Sequence, residues 1–288
     1  LPSFVLAQKR YYGGQDEVFN RDELERIYEF AIDHVDEEDD LDCLSALHRL
    51  VDYAEDGELG VGELGRRLED ALVANDRYRL LVHMDPRGRD WEESEEEMRA
   101  FIRDLDPAWE QQFDAFVDVV EHSPETSFKR FFKLFGEEQP EPGVQLLDQS
   151  PAALEEYQER VVVGICVGDP ERGRELVSDY IEDGTYDLAC AGLRVFINSD
   201  RDYAVSTFER IIDETNRFTE ERVIHFSSVL RGQWEEDQDW AEEMFLTLLH
   251  ESESVTPRVM DRLLDALPRR RENLTAVDET VLDEIMDY

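Results

Sequence analysis

The chain has 288 residues, 41% of them hydrophobic, and carries 72 acidic against 30 basic side chains for a formal net charge of −42. That length and apolar content allow one large core or two smaller ones and exclude a wholly disordered acidic tail. The carboxylates run from end to end instead of gathering in a single patch that could mimic nucleic acid, and so negative a surface disfavours phosphate binding.

Only Lys9, Lys129 and Lys133 are lysines; every other basic residue is arginine, whose weakly hydrated guanidinium pairs bidentately with carboxylates. A compact state of this charge repels itself in dilute buffer. Near 1 M salt the Debye length falls to roughly 3 Å and the repulsion fades. The composition therefore points to folding in near-molar salt, the condition of an extreme halophile's cytoplasm. Cys43, Cys166 and Cys190 are too few and too far apart for a disulfide framework and read as buried hydrophobes. No apolar run reaches the roughly 18 residues of a membrane span, and no signal peptide opens the sequence, so a cytoplasmic location is expected.

Apolar residues recur with helical period throughout, and an all-α fold is predicted. Leu24, Ile27, Tyr28 and Ala31 mark a helix over 22–34, and Leu44, Leu47, His48 and Val51 one over 41–53. Leu64, Leu68, Ala71 and Leu72 follow over 63–74. Met98, Phe101, Ile102 and Leu105 mark the next helix, and Trp109, Phe113, Phe116, Val117 and Val120 another. Ser123-Pro124-Glu125 has the makings of a helix start, with Gly136 expected to end that helix. Gln139-Pro140-Glu141-Pro142-Gly143 reads as a linker over 139–151, dividing an irregular helical-hairpin region, 1–138, from a repetitive region, 152–288.

Beyond the linker, segments 169–182, 200–213 and 237–250 superpose without gaps. Gly173, Ala204 and Ala241 coincide as the small residue. Leu176/Thr207/Met244, Val177/Phe208/Phe245, Tyr180/Ile211/Leu248 and Ile181/Ile212/Leu249 share the remaining apolar positions. Partner helices between them carry Leu154/Val161/Ile165, Leu188/Leu193/Val195, Val223/Phe226/Leu230 and Val259/Leu263/Leu267. Helix pairs recurring at this spacing predict an α-solenoid, since one pair cannot bury its own face. The competing arrangement is a non-repetitive bundle whose helices share a length. The tetratricopeptide signature is absent, and over about 152–267 the chain resembles an irregular HEAT-like repeat protein in period and apolar register. The opening Leu1-Pro2-Ser3-Phe4-Val5-Leu6 and Tyr11-Tyr12 are apolar where a free solenoid end would be polar, which suggests a neighbouring domain or a processed end.

Chemistry-bearing motifs are few. There is no Gly-Lys pair and hence no phosphate-binding P-loop, and no HExxH, CxxC or GxSxG motif. His34, His48, His83, His122, His225 and His250 are scattered one to a helix. The stretch from Asp52 to Glu63 resembles an EF-hand loop, with Asp56 at position five and Gly57 at position six, but Ala54 replaces the third ligand. A glycine-rich turn is the plainer reading. Phe128, Phe131, Phe132 and Phe135 form an apolar stripe opposite Lys129, Arg130 and Lys133, a pattern that serves a core helix whose basic face pairs with acids on a neighbouring helix or makes a specific docking contact or, less simply, base stacking. Arg269, Arg270 and Arg271 after Pro268 suit a helix C-terminus or a second docking point. The acidic runs 36–40 and 92–97 read as solvated faces. No metal, cofactor or catalytic residue is called for. The expected function is a non-catalytic scaffold that presents a helical surface to a partner protein. The alternatives are the helical sensor or regulatory region of a larger ATPase or defence-type protein, and a HEAT-like nucleic-acid-binding module that the net charge argues against.

Overall fold

The computed structural model describes residues 21–55, 60–84, 91–105, 112–123, 126–214, 218–231 and 233–267, together with Val281 and Ile285. The described residues are α-helical with three short 3-10 turns, and among them the one β-type pairing is an isolated parallel bridge between Phe218 and Ser252. No described helix is long and apolar enough to cross a membrane. By contact density the chain divides into two compact units, 1–131 with 151–155, and 132–150 with 156–288.

The first unit contains α1 (Arg21–His34), α2 (Leu41–Glu55), α3 (Gly62–Ala74), α4 (Asp76–Met84), α5 (Trp91–Asp104) and α6 (Gln112–His122). Helix α1 packs on α3, α2 on α3 and α4, and α4 on α5 and α6. Leu24, Tyr28 and Ala31 of α1 are buried as their spacing predicts, and the Tyr28 hydroxyl donates to the Leu50 carbonyl at 2.6 Å. Asn75, buried between α3 and α4, answers the hydrogen-bonding demand of three backbone groups. Its amide nitrogen donates to the Val35 and Glu38 carbonyls at 2.7 and 2.8 Å, and its side-chain oxygen accepts from the Tyr78 N–H at 2.9 Å.

The division between units falls within α7 (Lys129–Glu138). The second unit continues with α8 (Pro140–Gln149), α9 (Gln158–Gly168), α10 (Pro170–Asp183), α11 (Tyr186–Ser199), α12 (Arg201–Glu214), α13 (Glu220–Leu230), α14 (Gln238–His250) and α15 (Pro257–Ala266). Two expectations are corrected here. The stretch 139–151 is largely the helix α8 rather than a linker, because Pro140 sits in its first turn, where a missing N–H costs nothing. Gly136 lies inside α7 instead of ending it. A Cβ there would meet the Val161 carbonyl oxygen at 2.3 Å, so the residue serves a close helix crossing. Gly164 and Gly168 of α9 serve the same crossing, and added Cβ atoms there would lie 2.0 Å from the Lys133 and Glu137 carbonyl oxygens.

Helices α9, α11, α13 and α15 lie side by side in chain order, and α10, α12 and α14 each pack on the helix before them. The superposable positions share burial. Gly173, Ala204 and Ala241 are buried, as are Val177, Phe208 and Phe245, while Tyr180 and Ile181 at the first segment's end are half-buried. Burial also sets the thiol chemistry, pushing Cys166 up to about 12 and Cys190 higher still, so both remain protonated packing residues.

Gly164→Ala separates intrinsic propensity from tertiary fit. Alanine favours an isolated helix by about 1 kcal/mol, but here its methyl group meets a backbone oxygen. Net destabilisation of about 1–2 kcal/mol is expected in urea unfolding. Gly62→Ala, with 3.8 Å to its nearest neighbour, should change stability by a few tenths of a kcal/mol at most.

Candidate functional site

The first unit bears an apolar groove on α1. Phe30 is 62% exposed and stacks on His34 with ring centroids 4.2 Å apart, while the His34 ring Nδ1 lies 2.8 Å from the Phe30 carbonyl. Ile27, Ala31, Val35, Cys43 and Leu47 line the adjoining cavity of about 380 Å³, with Glu23, Arg26 and Glu38 at its rim. The Cys43 thiol is pushed up to about 11, by burial first and then by the hydrogen bond and charge of Glu38. A thiol so held is no nucleophile near neutral pH. The groove has the chemistry to receive an apolar side chain. Phe30 went unnoticed in the sequence, although Ile27, Phe30 and His34 form a second stripe at i, i+3 and i+7 beside the core stripe.

One polar cluster has the members of a serine-hydrolase triad. Ser45 Oγ lies 3.3 Å from His122 Nε2, and His122 Nδ1 lies 3.7 Å from Asp42 Oδ1. Its geometry falls short of that chemistry. The Asp42 side chain is 93% exposed and beyond hydrogen-bond distance, so it does not fix the imidazole. Ser45 sits in the second turn of α2, where backbone amides are committed to carbonyls one turn back and none is left for an oxyanion.

Of the residues singled out in the sequence, those over 128–135 lie on or just before α7. Phe128 is 1% exposed and Phe131, Phe132 and Phe135 are wholly buried, so none offers a ring face to a base. Phe131 meets Phe116 edge-on at 5.4 Å within the first unit, and Phe132 stacks on Tyr157 at 4.7 Å within the second. Arg130 is half-buried and bound to Glu95, which also receives Arg99 at 3.2 Å. Lys129 is exposed and Lys133 half-buried. Arg269, Arg270 and Arg271 lie outside the described residues. So do residues 56–59 of the calcium-like loop, whose final acid, Glu63, stands in the first turn of α3 and pairs with Arg66. Among the described residues no cluster of His, Cys, Asp or Glu could hold a metal ion.

A recurring device of the second unit escaped the sequence reading. Asp200 precedes α12, with Oδ1 3.5 Å from the Tyr203 N–H, and its Oδ2 accepts from Arg174 of α10 at 2.6 Å. Asp237 caps α14 through the Trp240 N–H at 3.2 Å, and its Oδ2 accepts from Arg201 of α12 at 3.2 Å. Each arginine also lies over the aromatic ring at the third helical position, Arg174 over Tyr203 at 5.5 Å and Arg201 over Trp240 at 5.6 Å. The rings reach back in turn. The Tyr203 hydroxyl donates to the Arg174 carbonyl at 3.3 Å, and Trp240 Nε1 donates to Glu209 at 3.0 Å. The readable signal was Asp-x-x-aromatic at the start of two superposable segments. Its arginine partners, 26 and 36 residues upstream, follow no fixed spacing.

Comparison with protein-family models, curated proteins and solved structures finds no match to this chain.

Glu95 supplies a pH test of the first unit. The hydrogen bond from Arg130, assisted by Arg99, holds its carboxyl below the ordinary value of 4.5. The stability it contributes is therefore complete above the unfolded-state value and lost as pH falls through the lower folded one. Glu95→Gln should be less stable than the parent at pH 7, and the gap should narrow as acidification carries the pH down through the carboxyl's lowered folded value. A gap in the urea midpoints that stays constant between these pH values would contradict the assignment.

Proposed function

We propose that the chain is a non-catalytic scaffold for a protein partner, its second unit a HEAT-like stack of helix pairs adapted to concentrated salt. The observation that carries this reading is the arginine, aspartate and aromatic clasp joining α10 to α12 and again α12 to α14. A device repeated between successive helices fixes their mutual orientation, which suits a surface that must be presented rather than closed around a substrate. The side-by-side run of α9, α11, α13 and α15 supports the same reading, because neighbours in such a stack would pack in chain order.

The salt requirement follows from where the charge sits. The clasp residues are partly exposed, at 34–41% for the side chains of Arg201 and Asp237, so their ion pairs alone contribute at most about 1 kcal/mol each. The stacking contacts are less sensitive to ionic strength. Self-repulsion among 42 excess charges is long-ranged and falls with every increment of salt. Melting temperature should therefore rise steadily as KCl increases from about 0.1 to 3 M. A melting temperature that stays flat over that range would remove the high-salt part of the proposal.

The scaffold reading is tested by affinity capture at high KCl, followed by reconstitution of the complex from purified components. The expected product is a stoichiometric protein complex that forms equally well with Ser45→Ala. A hydrolytic activity lost in Ser45→Ala or His122→Ala, with no complex formed, would overturn it.

A further inference from the structure

Carboxylates are distributed unevenly within the second unit. Helix α9 has none after Glu159, α11 none after Asp187 and α13 none after Glu221. Two of their companions are acidic through to the last turn, with Glu182 and Asp183 in α10 and Asp213 and Glu214 in α12, while α14 has no acid after Glu243. The helix dipole does not explain the contrast. It would place acids at N-termini and keep them from C-termini, yet α10 and α12 end on them. Burial does not explain it either. Arg160 is exposed, Val167 is 44% exposed, and Val163, Arg194, Val195 and Ile224 are half-exposed. Positions 160, 163 and 167 form one stripe of α9, and 194, 195 and 198 one stripe of α11, on the sides their neighbours leave free. On a surface otherwise studded with acids, these adjacent helices present valines, an isoleucine and arginines.

That composition, with arginine and apolar residues kept and Asp and Glu depleted, is what distinguishes the core of a protein–protein interface from ordinary surface. The border is built to match. Arg194 is paired with Glu159 at 3.1 Å and Arg231 with Asp265 at 3.6 Å, which leaves Arg160, among the described residues, as the free cation beside Val163 and Val167. Resting on the scaffold reading, we propose that the free face of α9, α11 and α13 binds an acidic amphipathic helix of the partner. Its apolar side covers Val163, Val167, Val195 and Ile224, and a carboxylate of its polar side meets Arg160. In concentrated salt the apolar contact supplies the affinity, and the short bidentate arginine contact supplies the preference for an acidic partner.

The test uses the whole chain and a fluorescent peptide helix of about 18 residues, with leucines along one face and glutamates along the other, in about 2 M KCl. A second peptide carries lysine in place of glutamate. The acidic peptide should bind and the basic one should not. Val167→Asp combined with Arg160→Glu should weaken binding at least roughly ten-fold without changing the thermal melt. Asp202→Asn, on the acidic face of α12, should leave it unchanged. Equal binding of both peptides, or binding of neither, would overturn the proposal. So would acidic-peptide binding indifferent to the paired substitution. Dimerisation, or retention of single-stranded oligothymidine, abolished by that pair would assign the face to a second copy or to nucleic acid instead. A reconstituted partner complex that survives the pair would overturn this face alone and leave the scaffold reading standing; failure to form any complex would remove both.

Discussion

An aspartate placed before a helix needs only one carboxylate oxygen to engage a first-turn amide. In Asp200 and Asp237 the other oxygen is left to receive an arginine from the preceding α10 or α12. One residue thus sets where its own helix begins and how that helix is held to an earlier one. The aromatic residue three positions on completes the arrangement, because its ring receives the guanidinium while its polar tip bonds backward. Helices α10, α12 and α14 each pack on the helix before them, α10 on α11 as well, and the clasps add a specific polar tie from α10 to α12 and from α12 to α14. The side-by-side packing from α9 to α15 rests on apolar burial, with Arg194 paired to Glu159 and Thr256 bonded to Glu220 between neighbouring helices.

The same unit shows how a chain of net charge −42 accommodates close packing. In α9, α11 and α13 the acids are kept to the first turn, while α10 and α12 carry them through to the last. Where α7 crosses α9, backbone meets backbone through Gly136, Gly164 and Gly168, a separation that any side chain would widen. Small residues continue in α11, whose Ala189, Cys190, Ala191 and Gly192 are all buried among neighbouring helices. Close approach at these points gives dispersion contacts that salt does not screen. A surface of mutually repelling carboxylates requires that kind of support.

The first unit is organised by polar ties at its turns. Asn75 satisfies two carbonyls and an amide at once, so the turn after α1 and the start of α4 are held by one side chain. The Tyr78 hydroxyl lies 2.7 Å from His48 Nδ1, and Ser45 meets His122 at 3.3 Å. These contacts have the donors and acceptors of catalytic chemistry and the geometry of structural fasteners. Serine, histidine and aspartate are matched in identity here, but the orienting carboxylate is solvated, and that difference in burial separates the two roles.

Periodicity was enough to read the helices. Leu24, Tyr28 and Ala31, or Phe208, Ile211 and Ile212, announce a buried stripe because a 3.6-residue turn puts them on one side whatever they pack against. The superposition of 169–182, 200–213 and 237–250 was legible for the same reason. The sequence alone also determined the net charge, the scarcity of lysine and the absence of a phosphate-loop motif, since these are counts and local patterns. Tertiary structure decided what depends on distance across the fold. Gly136 looked like a helix stop because local propensity cannot see the Val161 carbonyl opposite it. Arg130 was legible as a cation seeking an acid on another helix, but only folding chose Glu95 for it. Phe30 gave no local sign of its exposure; packing turned the Leu24, Tyr28 and Ala31 side of α1 inward and left Phe30 outside. A residue's neighbours along the chain fix its conformation, while its partners in space fix its role, and those partners come from segments that no local pattern links.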